Sequence, residues 1–69
     1  MSMVEKLEIV IVTYNRERYL RRTLETFLSE GSPVRDCRIV ILDNKSDDGT
    51  QVTALAFCAT HSNVEYRRN

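Results

Sequence analysis

The chain contains three short strand-like segments separated by two longer segments in which apolar residues recur with helical spacing. Residues 7–12 and 37–43 are rich in β-branched side chains and almost continuously apolar. Continuous hydrophobicity of this length is typical of strands buried on both faces of a parallel sheet. Residues 63–67 alternate between apolar and polar side chains, which predicts a shorter third strand.

The segment after the first predicted strand has the pattern of an amphipathic helix. Its apolar face consists of Leu20, Leu24, Phe27 and Leu28. Asn15 is predicted to cap this helix, because its side-chain oxygen can accept hydrogen bonds from the first-turn amides. Glu17 complements the positive end of the helix dipole, and the Gly-Ser-Pro sequence at residues 31–33 ends the helix.

A second helix is predicted to begin after the polar loop at residues 44–49 and to end near Thr60. Asp48 is followed three positions later by Gln51, which resembles a capping box at the start of a helix. The predicted buried stripe of this helix consists of Val52, Leu55, Ala56 and Ala59.

The element order β-α-β-α-β predicts an α/β fold with parallel strands joined by right-handed crossovers. This order is the first half of a doubly wound sheet, so we expect a partial Rossmann-like three-layer sandwich. A chain of 69 residues has room for one small core. We therefore expect residues 1–69 to form a single partial domain.

Charge and composition narrow the possible partners and the cellular location. Ten basic residues balance ten acidic ones, so no global charge favours nucleic acid or an anionic membrane as partner. No apolar run, including residues 9–12, is long enough to span a bilayer, and no signal-peptide pattern is present. We expect no membrane contact from this segment, a cytoplasmic location, and reduced thiols at Cys37 and Cys58.

Two polar clusters follow the first two predicted strands, at residues 13–16 and 43–48. Because ligands of open parallel sheets bind beyond the carboxyl ends of the strands, adjacent strands would bring these clusters together at one site. Tyr14 offers a flat face for a base, and Asp43 or Asn44 offers acceptors for base or ribose hydrogens. Amides at the starts of both helices lie nearby. This combination predicts a nucleotide site.

Turn and capping chemistry is an alternative role for several of these residues. Asn, Ser and Asp after a strand also suit turns and helix starts. Capping is favoured over ligand contact for Asn15 and Asp48. A ligand role is favoured for Asp43, because a carboxylate that closes an apolar strand costs desolvation energy that a turn does not require.

The two clusters, in this order and separated by one helix, resemble the start of family-2 glycosyltransferases with the GT-A fold. The matching stretches are Ile-Val-Ile-Val-Thr-Tyr-Asn-Arg at 9–16, Tyr-Leu at 19–20, Thr-Leu at 23–24, and Ile-Val-Ile-Leu-Asp-Asn-Lys-Ser-Asp-Asp-Gly-Thr at 39–50. The resemblance implies that Thr13 and Tyr14 line the base pocket for a nucleoside diphosphate sugar. It implies that Asp43 begins an acidic pair that binds base and ribose, with Asn44 in the second position and Lys45 where glycine is common. The expected nucleotide-binding residues are Thr13, Tyr14, Asn15, Arg16, Asp43, Asn44 and Ser46.

The resemblance also implies which parts of the reaction this chain does not supply. The family's Asp-x-Asp metal motif and its catalytic base come later than the residues matched here, so no catalytic or metal-binding residue is assigned. A divalent metal, Mn²⁺ or Mg²⁺, is expected for the full-length enzyme, and none is expected to bind this chain. Asp47 and Asp48 match a loop and helix cap. Without Lewis acid and base, we expect nucleotide-sugar binding without transfer.

Two alternative functions, and the role of two arginines, remain open at this point. A dinucleotide-binding module would place Asp43 on a ribose, although no Gly-x-Gly-x-x-Gly or Walker-type loop follows the first strand. A non-enzymatic association module would use the exposed edge of the first strand, through which we expect homo-oligomers. Arg67 and Arg68 close the third predicted strand and either meet a diphosphate or form a solvated chain end.

Overall fold

A computed structural model describes residues 8–69 of the chain. The elements follow the predicted order, each within a few residues of the predicted bounds. They are β1 (Glu8–Thr13), α1 (Glu17–Phe27), β2 (Arg38–Asp43), α2 (Thr50–Thr60) and β3 (Val64–Arg68). Leu7, the predicted first residue of β1, lies outside the described residues. Neither described helix is long and apolar enough to cross a bilayer.

The three strands form one parallel sheet in the order β1-β2-β3. Thr13 lies opposite Asp43 at the end of β1 and β2, and Arg68 lies opposite Asp43 at the end of β3. The carboxyl ends of all three strands therefore lie together at one end of the sheet. The prediction of a partial Rossmann-like α/β fold with parallel strands is confirmed.

The hydrophobic core lies between the sheet and the two helices, which contact each other on the same face. Its buried members are Leu20, Leu24, Leu28, Ile39, Ile41, Ala54 and Val64, with Ile9 and Ile11 packed against them. Both crossovers run in the same direction across the sheet, and right-handed connections then place both helices on one side. The described residues thus supply two layers of the expected three-layer arrangement.

The opposite face of the sheet is open over β1, which corrects the prediction that this strand is buried on both faces. Val10 and Val12 are 52% and 65% exposed. Only the central strand has the predicted two-sided burial, since Val40 is 3% exposed. Continuous hydrophobicity indicates only that a strand is suited to burial on both faces. The handedness of the crossovers decides which face the helices cover, and for β1 they cover one face.

The buried face of α2 also differs from the predicted stripe. Val52 and Leu55 are 74% and 48% exposed, and Ala56 and Ala59 are also exposed. The residues that α2 buries are Thr50, Thr53 and Ala54, with Phe57 and Cys58 half-buried. The two threonines tolerate burial because their hydroxyl groups donate to acidic side chains, Thr50 to Asp48 and Thr53 to Glu17.

Substitution of Leu24 by alanine tests the position of the core. Leu24 is fully buried, so its truncation should cost about 2–5 kcal/mol, comparable to the whole stability of a core of this size. We expect the Leu24→Ala variant to lose most of the cooperative thermal unfolding transition, measured by circular dichroism. Leu55→Ala on the exposed side of α2 is the matched control and should change stability by no more than about 0.5 kcal/mol. Equal effects of the two substitutions would contradict this packing.

Candidate functional site

The two predicted polar clusters lie side by side at the carboxyl end of the sheet. The backbone amide of Asn44 donates to the carbonyl oxygen of Thr13 at 3.0 Å, which extends the β1–β2 pairing into the loops. We call residues 13–16 and 43–49 the rim. Tyr14, Asn15, Arg16, Asn44 and Lys45 are exposed there, and Tyr14 is 53% exposed. Three further rim residues are buried, namely Thr13, Asp43 and Ser46.

Asn15 joins the two loops of the rim instead of capping α1. Its backbone amide donates to Ser46 Oγ at 2.8 Å, and its side-chain oxygen accepts from the amide of Asp47 at 2.7 Å. The residue has a φ of 48°, a left-handed conformation that asparagine tolerates better than most residues. The N-cap of α1 is Arg16, which makes no side-chain capping bond. The predicted cap was therefore wrong, because Asp47 and Ser46 compete for the same polar groups.

Asp48 receives hydrogen bonds from the starts of both helices. One carboxylate oxygen accepts from the amide of Glu17 at 3.3 Å, and the other accepts from the amide of Thr50 at 2.9 Å and from its hydroxyl group. The hydroxyl bond of Thr50 is the main cause that lowers the pKa of Asp48, against a smaller opposing effect of desolvation. The prediction that Asp48 and Gln51 form a capping box is wrong, because the N-cap of α2 is Gly49 and Asp48, one residue earlier, bonds within α2 only Thr50 at the first helical position.

A second contact links α1 to α2 just below the rim. Thr53 Oγ1 donates to Glu17 Oε2 at 2.5 Å, and Arg21 donates to the same oxygen at 2.6 Å. The pKa of Glu17 is lowered mainly by the hydroxyl of Thr53 and then by Arg21. Glu17 therefore does more than complement the helix dipole, since it holds the two helices in contact where they begin.

Asp43 lies at the centre of the rim and is fully buried. One oxygen accepts from the amide and hydroxyl of Ser46 at 3.0 and 2.6 Å, and the other accepts from Tyr66 Oη at 2.5 Å. Burial alone would raise the pKa of Asp43, but the bonds from Ser46 and Tyr66 and the nearby Arg68 outweigh it and lower the pKa. In this conformation both oxygens are engaged by the protein, so Asp43 holds the loop of residues 44–46 in place.

The third strand contributes two side chains to this network, Tyr66 and Arg68, which the sequence pattern does not assign to it. Arg68 Nη1 donates to the carbonyl oxygen of Ser46 at 3.1 Å and lies 3.7 Å from Asp43 Oδ2. Tyr66 has a raised pKa, first because of burial and then because of its bond to Asp43. Arg67, on the other face, pairs with Glu65 at 2.5 Å. The alternation at residues 63–67 already placed Val64 and Tyr66 on one face and could have indicated that Tyr66 points inward.

The parallel sheet, its one-sided helices and the polar rim together define an open α/β domain, a class in which ligands bind beyond the carboxyl ends of the strands. The family model for glycosyl transferase family 2 matches residues 8–69, and the chain belongs to this family. No curated protein and no solved structure matches the chain significantly.

The buried carboxylate makes a testable contribution to the pH dependence of folding. Because the pKa of Asp43 is lower in the folded state, its stabilising effect is complete above the unfolded value of about 3.9 and is lost as the pH falls below it. Asp43→Asn should cost about 2 kcal/mol at neutral pH, since an amide N–H would face the donors of Ser46 or Tyr66. It should also lose less stability between neutral and acidic pH than the unaltered chain.

Urea unfolding from pH 7 to pH 2.5 measures both effects. Asp36→Asn is the control, because Asp36 is exposed and should give an unfolding curve close to that of the unaltered chain. If Asp43→Asn keeps the full acid sensitivity, Asp43 does not contribute to it.

Proposed function

We propose that this chain supplies the donor-binding part of a family-2 glycosyltransferase and binds a nucleoside diphosphate sugar at the rim. The observation that carries the proposal is the in-register pairing of Thr13 with Asp43, which brings Tyr14 and Asn44 to neighbouring strand ends. Both side chains are exposed. A phenol ring can stack on a base, and a side-chain amide can both accept from and donate to the edge of that base.

The predicted nucleotide-binding residues divide into two groups in this proposal. Tyr14, Asn44 and Arg16 are exposed and are the groups available to contact the base and phosphates. The remaining predicted residues hold the loops through the hydrogen bonds already described, namely Thr13, Asn15, Asp43 and Ser46. Asn69 donates its side-chain amide to Asn44, an exposed contact that a bound base can replace.

The divalent metal expected for the complete enzyme does not fit the residues described here. No group of three or more His, Cys, Asp or Glu side chains within residues 8–69 is placed to hold a metal ion. Both oxygens of Asp48 accept hydrogen bonds from helix starts. We propose that Mn²⁺ or Mg²⁺ and the catalytic base belong to parts of the family fold outside these residues, so that this chain binds the donor without transferring the sugar.

A dinucleotide-binding role is less well supported by the same rim. Close approach of a pyrophosphate to the backbone requires glycines in the loop after the first strand. That loop carries Tyr14 and Arg16 instead, and its one left-handed position is occupied by Asn15. Titration of NAD and ATP beside UDP, TDP and GDP sugars separates the two functions.

Replacement of Tyr14 tests the nucleotide site directly. Loss of base stacking should weaken the binding of the preferred nucleoside diphosphate sugar by about tenfold, measured by isothermal titration calorimetry. Leu55→Ala is the control, because Leu55 is also exposed but lies on α2 outside the rim. Equal binding by both variants would contradict the site. Sugar transfer by the purified chain in Mn²⁺ or Mg²⁺ buffer would contradict the proposed division between binding and transfer.

We also propose that the chain self-associates through β1. This strand forms one edge of the described sheet, and no strand within residues 8–69 pairs with its outer side. The strand sequence Glu-Ile-Val-Ile-Val-Thr contains no proline or lysine, the residues that commonly protect exposed edges. The adjoining side chains Val10 and Val12 are exposed on the open face. An edge of this kind favours pairing with a second copy, which would hide the backbone groups and the two valines.

Substitution of Val12 by lysine tests this association. A charge beside the edge should oppose strand pairing, so Val12→Lys should shift the chain towards monomer in sedimentation velocity runs over a range of concentrations. Val52→Lys is the control, because Val52 is 74% exposed on α2 and lies away from β1. A monomeric unaltered chain at all concentrations, or equal effects of both substitutions, would contradict the proposal.

A further inference from the structure

Lys45 adopts a backbone conformation that is unfavourable for a lysine. Its φ is 61°, in the left-handed region where an L side chain costs energy and glycine does not. Among the non-glycine residues described, only Asn15 shares this feature, and asparagine is well suited to it. Asn15 also uses its side chain to bind the opposite loop. Neither compensation applies to Lys45.

The ammonium group of Lys45 forms no hydrogen bond or ion pair with residues 8–69, and the side chain is exposed. No ion pair joins Lys45 to Asp43, Asp47 or Asp48. Asp43 is buried beside Arg68, and Asp48 accepts hydrogen bonds from the two helix starts. A positive charge at the rim is therefore available to an external anion.

The loop that carries Lys45 is fixed on both sides of this residue. The amide of Asn44 donates to Thr13, and the amide and hydroxyl of Ser46 donate to Asp43. These hydrogen bonds hold the backbone of Lys45 in its unfavourable conformation. Unfavourable backbone conformations persist at functional sites when the surrounding structure holds them in this way. The same hydrogen bonds also fix the backbone position of Lys45 at the rim.

We propose that Lys45 binds the diphosphate of the nucleotide through its ammonium group. The inference rests on the proposed nucleotide site and adds a phosphate-contacting residue to it. A base between Tyr14 and Asn44 leaves its phosphates near the rim, where Lys45 is exposed. The carboxylate oxygens of Asp43 and Asp48 are engaged within the protein. A lysine ammonium is a compact charge suited to phosphate oxygens.

Three substitutions at this position separate the charge from the backbone. Lys45→Gly removes the side chain and the strain, so its thermal midpoint should equal or exceed that of the unaltered chain. Its affinity for a nucleoside diphosphate should fall about tenfold, while its affinity for the corresponding nucleoside stays unchanged. Lys45→Gln should lose the same affinity, and Lys45→Arg should keep most of it. Arg22→Gln is the control, because Arg22 is an exposed cation on α1 outside the rim.

Isothermal titration calorimetry with UDP, TDP and GDP and with uridine, thymidine and guanosine gives these affinities. A smaller dependence of diphosphate affinity on salt in Lys45→Gly and Lys45→Gln than in the unaltered chain would further support the contact. If the unaltered chain binds a diphosphate and both neutral variants bind it equally well, the role of Lys45 is overturned and the nucleotide site stands. If the unaltered chain binds none of the six compounds, the nucleotide site and the role of Lys45 both fail.

Discussion

A carboxylate at the buried end of a central strand requires hydrogen-bond donors around it, because an isolated charge there would cost more than the fold can offset. Asp43 meets this requirement with Ser46 from the following loop and Tyr66 from β3, and Arg68 adds a nearby positive charge. These partners come from separate parts of the chain. The carboxylate of Asp43 therefore fixes both the rim loop and the end of β3. Because β3 must pair with β2 to bring Tyr66 and Arg68 to Asp43, the shape of the rim depends on the packing of the sheet.

The rim combines groups that hold the structure with groups that are available to a ligand. Asn15 bridges the two rim loops, and Asp48 bridges the starts of the two helices. Both residues use their polar atoms for hydrogen bonds within the protein. Tyr14, Asn44 and Lys45 extend from this fixed base and are exposed. Preorganisation of this kind lowers the entropy that a ligand must remove on binding. Asn15 and Asn44 therefore have different roles although they are the same type of residue, since Asn15 holds the loops together and Asn44 is exposed at the rim.

The one-sided arrangement of the helices has consequences beyond the site. The face of the sheet opposite the helices carries a row of charged pairs involving Glu8, Arg38 and Glu65 near the amino ends of the strands. Val10 and Val12 lie nearer the rim on that face and are exposed. The apolar part of the open face therefore adjoins the edge of β1. Exposed apolar surface beside an edge without a pairing strand is a common basis for association.

The sequence by itself determined the order and class of the elements and the position of the two polar clusters. β-branched runs, helical spacing and the right-handed crossover rule are local or topological properties, and they brought Tyr14 and Asn44 to one rim correctly. Only the tertiary structure decided which face of α2 is buried and how Asp43 and Asn15 use their polar atoms. Those outcomes depend on partners 23 to 36 residues away in the sequence, namely Tyr66 for Asp43, Ser46 for Asn15 and Glu17 for Thr53. A hydrogen bond over that separation leaves no periodic signal along the chain.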